Sequence, residues 1–218
     1  MTRQDSDPPA LYFAPDTCAL ASLIACYDAG VEPEVIHVDF LSAQQKSDAY
    51  LSLNPKARVP ALQVGGTVLT ETPAILAYLS QAHPDAGLAP SDPVGFAQVQ
   101  SFNAYLCSTL HVAHAHRMRG YRWVDGEEHE EAMRRKVPEA MTDCYDYIEL
   151  HVFEGPFVFG ETYTICDPYL FTIAQWMKSD GVDPDRFPKL SAHQELMVKR
   201  PNVERALTVE RGFMASQS

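Results

Sequence analysis

The chain has 218 residues, of which 46% are apolar and 21% charged, a balance that excludes wholesale disorder and supplies a sizeable core. Acidic residues number 29 against 17 basic ones, a formal charge of −12 that disfavours nucleic acid or an anionic membrane as a partner. The five cysteines form no metal spacing and no even-numbered framework, which fits free thiols in a reducing compartment.

The opening segment MTRQDSDPPA is polar and Pro-rich and reads as a loose tail without an apolar leader. No apolar run approaches the ~18 residues of a membrane span, so a soluble, cytoplasmic protein is expected. Leu11-Tyr12-Phe13-Ala14 reads as a short buried strand. Pro15-Asp16-Thr17 breaks it, with Asp16 or Thr17 as the N-cap of a helix over 18–29 that Gly30 ends. Residues 34–39 alternate as a strand, and a short helix is expected over about 44–53. Asn54-Pro55 and Val59-Pro60 mark turns. Strands at 61–64 and 67–70 flank Gly65-Gly66, a hairpin signal. A helix over 72–82 starts with Pro73 in its first turn, where a missing N–H costs nothing. This β-α-β-α-β-β-α order predicts a mixed four-stranded sheet with helices on both faces. Residues 84–93, rich in proline, read as a linker. Helices follow over about 93–119, 127–153, 165–179, 189–199 and 202–214. The domains expected are 10–83, a linker 84–93, and an all-helical 94–215.

Several residues carry chemistry. Cys18 lies at the first turn of a helix, where unpaired N–H groups and the macrodipole favour a thiolate; the plainer reading is a small buried core residue. No Cys-x-x-Cys pair exists, because Ala21 occupies the second place. Cys26 lies about 12 Å further along the helix, beyond disulfide reach. Thr72 is a candidate N-cap, with Glu71 complementing the helix dipole. Thr164-Ile165-Cys166-Asp167 is a capping box with Asp in place of Glu, a structural element. In the run 108–116, His111 and His114 share one helix face, while His116 points elsewhere, a weak metal signal. The basic and aromatic run 117–123 either favours an anionic or aromatic substrate or is salt-bridged to the acidic run 127–131; the second reading is the plainer.

The ordered motifs LYFAPDTC, NPKARVPAL, LTETPAI and GETYTICDPYLF make the chain resemble a glutathione S-transferase, over roughly residues 10–210. Tyr12, Pro15 and Cys18 are similar to the opening of the bacterial cysteine type, the beta class. The resemblance implies an α/β thioredoxin-like N-terminal domain (βαβαββα) followed by an all-α domain. It further implies that Pro60 is cis, that the backbone of Val59 pairs with the cysteinyl part of glutathione, and that Glu71 and Thr72 bind its γ-glutamyl end. Arg58 is implied at the glycyl carboxylate, although a solvated arginine is equally plain. Gln44, Gln45 and Lys46 are alternatives there. Cys18 and His111 are the implied catalytic residues, with Ser108 as a further glutathione contact. The activity implied is conjugation of glutathione, as cosubstrate and without a metal, to a small electrophile by a homodimer. The alternatives are a glutathione-dependent thiol-disulfide reductase using Cys18, and a non-enzymatic binding protein on the same scaffold.

Overall fold

The computed structural model describes residues 8–215. Strand β1 (Ala10–Phe13) runs parallel to β2 (Glu34–His37), joined through helix α1 (Ala19–Asp28). Strands β3 (Ala61–Val64) and β4 (Thr67–Thr70) form the antiparallel hairpin, and the sheet order is β2-β1-β3-β4. Leu11 stands opposite both Val35 and Leu62, so the apolar pattern of three strands meets in one row. Gly65 in the hairpin turn has φ +53, a conformation in which a side chain is disfavoured. The helix expected over 44–53 is divided. Gln44–Lys46 is a 3-10 turn, Ser47 is extended, and α2 covers Asp48–Leu53. Ser47 Oγ accepts the Tyr50 N–H at 3.2 Å, and this capping geometry ends one element to begin the next. Helix α3 (Thr72–Ala82) completes the thioredoxin-like domain.

An all-α domain follows, in helices α4 (Pro93–Tyr105), α5 (His111–Arg119), α6 (Glu127–Tyr147), α7 (Cys166–Ala174), α8 (Pro188–Met197) and α9 (Pro201–Ala215). The unbroken helices expected over 93–119 and 127–153 each contain a π-helical turn, at Leu106–Leu110 and Ile148–Val152. Such a turn widens the helix and rotates the residues after it, a frequent device at functional sites. No helix among the described residues is long and apolar enough to cross a membrane.

Helix α1 is where the two domains meet. Its sequence, ALASLIACYD, is apolar on every side, and residues Ala19 to Tyr27 are all buried. A helix of that kind needs cover all round; α1 receives it from the sheet and α3 on one side and from α7 and α9 on the other. Burying Leu20, Leu23 and Ile24 stabilises by about 1.5–3 kcal/mol each. Polar contacts fix the register. Asp28 accepts from Tyr163 Oη at 2.5 Å and from Asn202 Nδ2 at 2.8 Å, and Arg205 sits 4.0 Å from the centre of the Tyr27 ring. Glu210 Oε1, on α9, accepts the N–H of Asp16 at 3.0 Å, two residues before Cys18.

Candidate active site

The β1–α1 turn sets the position of Cys18. Asp16 adopts φ +54, and Thr17 Oγ1 donates to Ala14 O at 2.7 Å while accepting the Ala19 N–H at 3.2 Å. Thr17 therefore supplies the capping chemistry expected there. Cys18 follows at the flank of α1, buried, its thiol directed at Val59 O at 3.8 Å. Burial pushes this thiol above its ordinary pKa; the Thr72 hydroxyl and the Arg119 guanidinium pull it down, and the Glu71 carboxylate pushes it up. The balance corrects the sequence expectation. The helix start does not by itself make Cys18 a thiolate, because loss of hydration outweighs it.

Facing Cys18, the Val59–Pro60 peptide is cis. Tyr50 Oη and Asn54 Nδ2 both donate to Arg58 O at 2.7 Å, bracing the loop before it. Tyr12 packs edge-on against Tyr50, and its hydroxyl lies 3.5 Å from Gln63 Oε1, so its role here is packing. At the start of α3, Glu71 has φ +74 and ψ 122, a conformation that costs a bulky residue about 1–3 kcal/mol. Thr72 does not cap the helix. Its hydroxyl is buried without a nitrogen or oxygen partner and lies against the Cys18 sulfur. Lys56 Nζ, 2.5 Å from Glu71 Oε1 and 2.7 Å from Thr70 Oγ1, holds the Glu71 carboxylate. An ammonium already sits where the resemblance places the ammonium of glutathione. Sequence reasoning missed Lys56, which the hairpin brings to Glu71 from 15 residues away.

The all-α domain forms the other wall. The π turn carries Cys107, which is half-buried and within electrostatic reach of Glu71, while the neighbouring Ser108 is exposed. Tyr169, buried in α7, is acted on by Cys18, Cys107 and Glu71, so it too belongs to this wall. Neither Cys107 nor Tyr169 carried a sequence signal beyond the apolar pattern. His111 packs 5.2 Å from the Trp176 ring. His114 stacks on Trp176 at 4.1 Å, and its Nδ1 lies 2.8 Å from the buried Asp180 carboxylate, which Arg117 also bridges at 3.0 Å. His116 faces Trp123 instead. Among the described residues no cluster of His, Cys, Asp and Glu is arranged to hold a metal ion.

Burial first, and then the neighbouring His114, Arg119, Arg58 and Arg122, push His111 down to about 3. At neutral pH it is an uncharged imidazole that can share a hydrogen bond. The sign of its pH effect follows. Below about pH 6.5 the unfolded chain binds a proton that the folded chain refuses, so stability falls with acidification over the range between 6.5 and about 3. His111→Asn is expected to flatten that fall, by at most about 1.4 kcal/mol per pH unit. Urea unfolding between about pH 6 and about pH 4 checks it, and parallel curves for the two proteins would refute it.

A thioredoxin-like sheet thus presents a thiol, a cis proline and the start of α3 toward an all-α wall. Residues 10–81 match the family model described as glutathione S-transferase, N-terminal domain. A glutathione transferase homologue from Sulfitobacter, solved with bound glutathione, is 43% identical, with a TM-score of 0.90 over 94% of this chain and 98% of that one. A bacterial beta-class glutathione S-transferase from Sphingomonas chungbukensis is 29% identical, with a TM-score of 0.80 over 92% and 98% of the two chains. The glutathione S-transferase GstA of Escherichia coli O157:H7 is 29% identical over 92% of this chain and 98% of its own. The chain belongs to the glutathione S-transferase family and is a glutathione transferase of bacterial type.

Proposed function

We propose that this enzyme conjugates glutathione to small electrophiles, with the cysteine-type site of the beta class. The observation that carries the reading is the meeting of Glu71 at φ +74, the buried Thr72 hydroxyl and the Cys18 sulfur at the start of α3. Strain, and a buried hydroxyl whose one contact is a sulfur, are both costly, and a ligand carboxylate at the helix N-terminus gives each a purpose. In this reading the γ-glutamyl carboxylate takes the Thr72 N–H and hydroxyl, and its ammonium joins Lys56 at Glu71. The backbone of Val59, set by cis Pro60, pairs with the cysteinyl residue. Arg58, exposed and without a side-chain partner among the described residues, takes the glycyl carboxylate. Ser108, on the exposed side of the π turn, is available to the same ligand, and Cys18 and neutral His111 flank the reacting sulfur. The domains are 10–83 and 94–215 with the linker between, and the working form is a cytoplasmic homodimer.

Calorimetric titration with glutathione tests the site. Wild type is expected to bind, and Glu71→Ala to bind about tenfold more weakly, the loss of one charge-assisted hydrogen bond. No heat with wild type, and no displacement by a glutathione conjugate, would remove the assignment.

A further inference from the structure

Among the described residues the arginines of the run 117–123 form no ion pair with the acidic run that follows them, although Glu130 packs on Gly120 between Arg119 and Arg122. Within that run Glu131 pairs with Arg134 and Arg135, both on its own helix. Arg117 turns inward to Asp180. Arg119, half-buried at the end of α5, has no ion pair or hydrogen bond among the described residues. Nor has Arg122, exposed in the turn Gly120–Arg122, whose guanidinium lies 5.9 Å from the Tyr121 ring centre. Burial acts on Arg119 first, and then Arg122, the Cys18 thiol, Tyr121 and Arg58. In a chain of net charge −12 this is a concentrated positive patch, and its Arg119 acts on the Cys18 thiol.

Glutathione does not use all of it. Its γ-glutamyl carboxylate is met by the start of α3, and its glycyl carboxylate by Arg58 on the sheet side. Arg119 and Arg122 stand on the helical side and remain over, flanked by Tyr121 and Trp123, which are 58% and 46% exposed. His116 packs against Trp123 with ring centres 4.6 Å apart and ties this turn to α5.

Resting on the transferase reading above, we propose that Arg119 and Arg122 form an anion subsite for the second substrate, so that the enzyme selects planar electrophiles bearing a carboxylate. The guanidinium pair holds the carboxylate and the aromatic rim covers the ring. The step is substitution. The glutathione sulfur forms the new C–S bond, the leaving group departs with its bonding pair, and the thiol proton passes to water, so no oxidant or reductant is required.

The test compares chlorodinitrobenzene with the matched chlorodinitrobenzoate, carboxylate para to chlorine, each kcat/KM divided by its uncatalysed rate. Wild type is expected to prefer the carboxylate by about tenfold to a hundredfold. Arg119→Gln, Arg122→Gln and the double variant should lose that preference and keep the KM for glutathione. Arg58→Gln should raise the glutathione KM and keep the preference. Equal rates for both electrophiles in wild type would overturn the proposal, as would a rise in glutathione KM that accounts for the whole effect of Arg119→Gln. Calorimetry with the two conjugation products decides the matter without turnover. Tighter binding of the carboxylated product, lost in Arg122→Gln, supports the subsite. Equal binding of the two sinks the subsite and leaves the glutathione site standing. Failure of both to bind sinks the glutathione site and the subsite with it.

Discussion

Replacing Asp167 by alanine is expected to lower the unfolding free energy by about 3–5 kcal/mol. Asp167 is fully buried at the start of α7, and each carboxylate oxygen is shared. Oδ2 accepts the Thr164 N–H at 2.7 Å and the Thr164 hydroxyl at 3.3 Å. Oδ1 accepts the Val158 N–H at 2.9 Å and lies 3.2 Å from His193 Nε2. Alanine removes the acceptor and leaves two backbone donors and an imidazole buried without it, at about 1–3 kcal/mol for each orphaned group. Asparagine is no remedy, since its NH2 group must face one set of donors. Both variants should show a lower urea midpoint with an unchanged slope, and normal turnover per folded molecule. A loss under about 1 kcal/mol would mean that water fills the vacated space and the box is dispensable.

The capping box was legible because all its parts lie within four residues of sequence. The contacts that make it strong, with Val158 and His193, were not. The same division runs through the molecule. Strands and helices followed from apolar spacing, and α1 was recognisable as apolar, but what covers its outer side is set by α7 and α9. Within 93–119 the apolar pattern continues without a break, and nothing local signals a π turn. That turn holds Cys107 half-buried within reach of Glu71. Charge pairing misled for a related reason. The run 127–131 lies beside the arginines in space as well as in sequence, with Glu130 packed on Gly120, yet Glu131 finds its partners three and four residues along its own helix. Lys56 and Glu71 meet only because the hairpin folds between them.

The strained Glu71 and the buried Thr72 hydroxyl bear on how Cys18 acts. A cysteine that attacks disulfides spends its resting time as a thiolate, and such thiols sit in exposed, electropositive surroundings. Cys18 has the positive neighbour in Arg119, but it is buried, and burial dominates. Its proton therefore remains in place at neutral pH. A buried S–H beside the incoming glutathione sulfur is a donor, and the group that gains most from a donor is a thiolate. On the proposed transferase reading, Cys18 would donate to the glutathione thiolate and form no covalent bond with it.

Cys18→Ala is accordingly expected to retain conjugation at a rate about tenfold to a hundredfold lower, the usual cost of removing one donor to a developing anion. The loss should shrink as pH rises, because free thiolate becomes available without the donor. Cys18→Ser, which keeps an O–H in place, should recover most of the activity. Glutathione disulfide should add no glutathionyl mass to wild type on the time scale of turnover. The competing account makes Cys18 a nucleophile in thiol-disulfide exchange, forming a mixed disulfide that a second glutathione releases. It requires both variants to be inactive as reductases and wild type to gain one glutathionyl group at Cys18. Serine decides between them, since it matches the hydrogen bond and cannot form the disulfide. Full loss of conjugation in Cys18→Ser, together with glutathionylation of wild type, would show that the buried proton is given up readily and that the thiol itself carries the reaction.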